Sequence, residues 1–87
     1  MEANKYRNMS ASALVKTGYG VVKGILVNSH TSGTIKLWDN TSAATTVLTN
    51  TMTLAVGERW IPLFEATFEV GLYVTIAGTA DITVVYK

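Results

Sequence analysis

The chain has 87 residues, no cysteine, one histidine, and seven Lys plus Arg against six Asp plus Glu, for a net charge of +1. A chain this short is one domain that removes only about 60–65% of its unfolded surface from water, and without disulfides or a metal-ligand set it looks to oligomerisation or docking for support. The scattered basic residues exclude a nucleic-acid stripe, no apolar run reaches the roughly 18 residues of a membrane span, and residues 1–10 carry no signal-peptide pattern.

Residues 1–12 are small or polar and without period, which predicts a flexible N-terminal arm ahead of a single β-domain over residues 13–87. Residues 13–16 form a short strand candidate, and Gly18 and Gly20 turn the chain into the longest candidate, residues 21–28. Gly24 inside that run predicts a bulge or a close backbone approach. A Ser/Thr/Gly loop at 29–33 leads into residues 34–39, where Ile35 and Leu37 alternate with Lys36 and Trp38; the two runs read as a hairpin.

After a turn-rich connection at 40–44, the threonines of residues 45–50 suit a pleated, half-solvated strand. Residues 52–58 continue extended. Residues 59–64 are apolar but contain Pro62, which has no N–H for a ladder, so this strand belongs at an edge or at a bulge. Glu65 and Ala66 are read as a turn before residues 67–70. The C-terminal run, 71–86, reads as a hairpin with its tip at 78–81. Leu72, Val74 and Ile76 share one of its faces, as do Ile82, Val84 and Tyr86, and these six are the predicted core.

About eight short strands with regular turn signals and no 3.6-residue period predict an all-β fold, a small antiparallel β-sandwich of jelly-roll type. A loose Gly-Thr signature recurs at 33–34 and 78–79, which we ascribe to turn chemistry and not to duplication.

Chemistry-bearing groupings are sparse. His30 is the one imidazole, formally able to join Asp39 or Asp81 in a triad, but no nucleophile-elbow pattern accompanies it. Glu65 and Glu69 are four apart and read as solvated. There is no Cys, no second His and no calcium-loop spacing, so no metal or cofactor is expected. No enzyme motif survives. The aromatics remain. Alternation turns Trp38 and Tyr73 away from the predicted core, and with Trp60 they are candidates for subunit contacts or for stacking on sugar rings. Only 15% of the residues are charged and 48% are hydrophobic, a lean polar surface that favours a covered face.

The phrases SGTIKLWDNTSA (32–43), RWIPLF (59–64) and FEVGLYVTIAGTADITVVY (68–86) resemble small bacteriophage virion β-domains of the head-decoration (cement) and head-fibre type. The resemblance covers roughly residues 20–86 and implies a β-sandwich, often a homotrimer, on the capsid exterior. It also implies the major capsid protein as partner, synthesis in the host cytoplasm, and no catalytic residue. On that reading Lys5, Tyr6 and Arg7 of the arm lie along an acidic capsid groove. The competing reading is a carbohydrate-binding or host-attachment domain using Trp38, Trp60 or Tyr73.

Overall fold

A computed structural model describes residues 4–55, 57 and 59–87. The first three residues of the expected arm, and Val56 and Glu58 of the expected 52–58 extension, lie outside the described residues. The fold is all-β. Two long antiparallel strands, β3 (Gly20–Trp38) and β6 (Gly71–Tyr86), run beside each other along nearly their whole length. Each was expected as two strands with a turn between, and neither contains a chain reversal.

The reason lies across the ladder. Thr31 pairs with Thr79 and Thr34 with Ala77, so the Ser32-Gly33 signal and the Gly78 signal sit opposite one another. Ser32 and Gly78 take left-handed φ values of 51° and 75°, and the register shifts here and again between Val27 and Ser29. A Cβ on Gly78 would lie 2.4 Å from the Ser32 carbonyl oxygen, so the position requires glycine for both space and conformation. Facing turn residues thus bend a two-stranded ribbon. Ser29, His30 and Thr31 continue the ladder with Asp81, Ala80 and Thr79, where a hairpin tip was expected.

The bend divides the ribbon into two halves, each flanked by shorter strands. β1 (Lys5–Met9) pairs with the second half of β6, and β5 (Trp60–Phe68) with the first half of β3. β2 (Ala13–Thr17) pairs with the first half of β6, and β4 (Met52–Thr53) with the second half of β3. Together these six strands of the described residues form one antiparallel sheet. Val22, Ile25, Val27, Ile35 and Leu37 of β3 and Leu72, Val74, Ala80, Ile82 and Val84 of β6 are buried in one core with Met9, Val15, Leu54 and Phe68. Of the six predicted core positions, Leu72, Val74, Ile82 and Val84 are fully buried, while Ile76 and Tyr86 pack half-buried against the cluster. Val22 and Ile25, three apart, both point inward because an extra residue bulges before Gly24.

Three further expectations are corrected. Residues 5–9 are not an arm but an edge strand: Lys5 through Met9 pair with Tyr86 through Ile82, and Thr83 donates its hydroxyl to Asn8 Oδ1 at 2.5 Å. Only Met9 is buried, so the strand shows no apolar period, and its charges suit an unpaired outer edge. Residues 45–50 do not form a strand beyond a single bridge from Val47 to Trp38. Their polar groups are met locally instead: the Leu37 carbonyl accepts from Leu48 and Thr49 N–H, Thr49 Oγ1 accepts from Leu37 N–H, and Asp39 N–H donates to the Thr46 carbonyl. Finally, the expected turn at 65–66 lies inside β5 as a bulge.

Candidate functional site

That bulge opens the most unusual surface of the molecule. β5 pairs with β3 alone in its half of the sheet, so Pro62 sits on an edge strand, and the register jumps from Val22–Ala66 to Gly24–Pro62. Leu63, Phe64 and Glu65 therefore oppose Lys23 alone, and both the edge and the bulge foreseen from Pro62 are present. Phe64 and Glu65 hold φ values of 53° and 58°. A left-handed bulky residue is strained by about 1–3 kcal/mol, and one that leaves its ring in water gains nothing from burial to offset it. Phe64 is 86% exposed. Lys23 bonds Glu65 at 2.7 Å and brackets the bulge; that hydrogen bond and the ammonium charge hold the Glu65 carboxyl below its ordinary pKa.

Beside the bulge, two cross-strand rows make the outer face. One runs Asn8, Thr83, Leu26, Trp60 and the next runs Tyr6, Val85, Gly24, Pro62. A Cβ on Gly24 would lie 2.5 Å from Trp60 Cζ2, so the absence of a side chain there lets the indole lie down across the second row. Both the bulge and the close backbone approach expected at Gly24 are present, the register shifting beside it and a Cβ there lying 2.7 Å from the Ile61 carbonyl oxygen. Tyr6, Leu26, Trp60, Pro62 and Phe64 are all exposed. Polar groups adjoin them: Asn28 Nδ2 donates to Asp81 Oδ1 at 3.2 Å and to Thr83 Oγ1 at 3.1 Å.

Trp38 and Tyr73 lie on the outer face of the other half, directly opposite each other in the ladder and both half-buried. Trp38 Nε1 donates to Thr75 Oγ1 at 3.3 Å, and the Lys36 ammonium stands 4.5 Å from the indole centroid. This indole already carries a cation on its face. The structure therefore brings Trp38 and Tyr73 together and places Trp60 in the other half of the sheet. Lys5 and Tyr6 are exposed on β1, whereas the Arg7 guanidinium bonds back to the Leu14 carbonyl at 3.1 Å. Sequence reasoning did not single out Leu26 or Phe64; Pro62 was the available signal for Phe64, since an edge bulge must project something.

Among the described residues, none of the hydrogen bonds made by His30, Asp39 and Asp81 joins one of these side chains to another. His30 Nε2 lies 2.8 Å from the Ala55 carbonyl, and Asp81 accepts from Asn28. Asp39 Oδ1 accepts from the N–H groups of Val70 (2.9 Å), Glu69 (3.0 Å) and Gly71 (3.4 Å). Burial raises the Asp39 pKa, and these three amides more than offset it, leaving the carboxyl below its ordinary value of 3.8. No group of three metal-ligating side chains exists among the described residues.

No family model, curated protein or solved structure matches this chain. The functional reading therefore rests on the residues themselves.

Proposed function

We propose that the protein is a structural virion component, a decoration protein that binds the outside of a bacteriophage head and bridges neighbouring major capsid subunits. The observation that carries this reading is the strained bulge that holds Phe64 in solvent on the strand that also exposes Trp60 and Pro62. Strain at an exposed apolar side chain is retained where a partner covers it. Lys5 at the start of β1 adds a cation to the same half of the sheet, suited to an acidic rim on the capsid. We read the bent sheet as a small jelly-roll-like sandwich and the assembled form as a homotrimer, in which Trp38 and Tyr73 contribute to subunit contacts. Many weak, repeated contacts of this kind reinforce a shell without high affinity at any one site.

Co-sedimentation with undecorated capsids tests the reading. The double variant Tyr6→Ser, Phe64→Ser, folded as judged by its circular dichroism, is expected to lose binding; undiminished binding removes the outer face from the interaction. Light scattering on the free protein tests the trimer.

A second reading, a carbohydrate-binding or host-attachment domain, is favoured by Trp60, whose indole lies over Gly24 and whose cross-strand row also carries the amide and hydroxyl of Asn8 and Thr83. It predicts a Trp60-dependent fluorescence change on adding glycans.

A further inference from the structure

Lysines that are scattered in the sequence converge in space. Lys5 at the start of β1, Lys16 near the end of β2, and Lys87 just after β6 line one pocket of about 360 Å³ together with Tyr19, Gly20 and Val21. The topology produces the convergence. β1 pairs with the end of β6 and β2 with its start, and the turn from β2 into β3 spans the two, Gly18 bonding Val70 just before β6 and Val21 bonding Lys87 just after it. The walls are fixed by backbone. Lys87 N–H donates to the Val21 carbonyl at 2.8 Å and Val21 N–H to the Lys87 carbonyl at 3.1 Å, while Gly18 N–H donates to the Val70 carbonyl at 2.8 Å and pins the turn carrying Tyr19.

Three features select a ligand. Among the described residues no Asp or Glu lines the pocket and the one ion pair is Lys23–Glu65, with Glu65 feeling the Lys87 charge from outside the lining. Like charges around one space whose described lining holds no carboxylate side chain repel one another and are relieved by an anion. Lysine meets an anion as a point charge without demanding fork geometry, which suits carboxylate and sulfate alike. Tyr19 is 67% exposed and offers a ring face beside the cations. The pocket volume falls at the low end of small-ligand sites, and the lysines surround one space instead of following a line, which favours a compact ring over an extended acidic peptide.

We propose that this pocket binds an acidic sugar residue, its carboxylate or sulfate among Lys5, Lys16 and Lys87 and its ring against Tyr19. The site lies at the β1, β2 and β6 ends and does not depend on the capsid reading.

The test is titration of the isotope-labelled protein with glucuronate, followed by backbone amide shifts, at an ionic strength of about 0.02 M and again at about 0.5 M. Saturable shifts at Gly20 and Val21 are expected, with a dissociation constant on the order of 1 mM that weakens at the higher salt, and none with glucose. Lys16→Gln and Tyr19→Ser should each weaken binding by about three- to fivefold with the thermal midpoint unchanged. Absence of saturable shifts, equal binding of glucose, or insensitivity to both substitutions overturns the proposal. Inorganic sulfate binding as tightly as glucuronate overturns the sugar component, and hexaglutamate binding where glucuronate does not reassigns the pocket to acidic polypeptide.

Discussion

Asp39→Asn removes one charge and keeps the side-chain shape, and so isolates what the carboxylate does for the turn between β5 and β6. In the wild type, Oδ1 takes the amides of Val70 and Glu69 at 2.9 and 3.0 Å, and Oδ2 also faces Glu69 N–H at 3.1 Å. Asparagine retains one acceptor but loses the charge and turns an NH2 toward an N–H. Hydrogen bonds to charged groups contribute about 1.5–3 kcal/mol each when buried, and this half-exposed site warrants the lower end, so the variant should lose about 1.5–2 kcal/mol. For a domain of this size that is about 6–16 °C in thermal midpoint. The pH dependence supplies the sharper check. The folded pKa lies below 3.8, so the carboxylate's contribution is complete above that value and disappears as pH falls through the folded pKa. Urea unfolding followed by circular dichroism should show wild type more stable than Asp39→Asn at about pH 7 and about pH 5, with the gap closing below about pH 4. A gap that persists undiminished into strong acid, or no gap near neutrality, refutes the assignment.

Three other outcomes follow from the described geometry. Deleting residues 1–8 strips β1 from β6 and should lower the unfolding midpoint and promote association through the bared edge, as read by light scattering; an unchanged midpoint and mass would show that β1 contributes nothing. Gly24→Ala places a methyl 2.5 Å from Trp60 Cζ2, so the indole must lift, with a cost of about 1–3 kcal/mol and a shift in tryptophan emission that Trp60→Phe abolishes; unaltered emission contradicts the stacked position. Phe64→Asn relieves a left-handed bulky residue and should stabilise the free protein by about 0.5–1 kcal/mol in urea while weakening capsid binding, whereas a loss of stability would mean the ring packs on its own chain.

Pattern along the chain revealed what each residue wants locally, and it succeeded where local preference and tertiary role agree. Leu72, Val74, Ile82 and Val84 alternate and are buried; Pro62 cannot donate to a ladder and lies at an edge with a bulge. It failed where the same residue chemistry serves two geometries. Ser32-Gly33 and Gly78 are turn residues in any reading, and only their placement opposite each other decides that they bend a ribbon and do not reverse it. The same limit hid the pocket: Lys5, Lys16 and Lys87 have no relation in sequence, and their convergence depends on the β2–β3 turn bonding at both ends of β6. Trp60 was recognisable as a candidate, but its seat over Gly24 requires the β3–β5 register.

The dominance of the β3–β6 ribbon has a consequence for the order in which the protein can form. β6 is the last of the six strands to leave the ribosome, and β1, β2 and β3 all pair with it. Paired residues such as Lys5 and Tyr86 stand at opposite ends of the described chain, so the β1–β6 ladder requires loop closure over nearly its whole length. β1, β2 and the edge of β3 that faces β6 must therefore wait until that strand arrives. Synthesis is the interval in which this protein is most exposed to aggregation, and a ribosome stalled before Gly71 would release a chain with no ribbon to fold around.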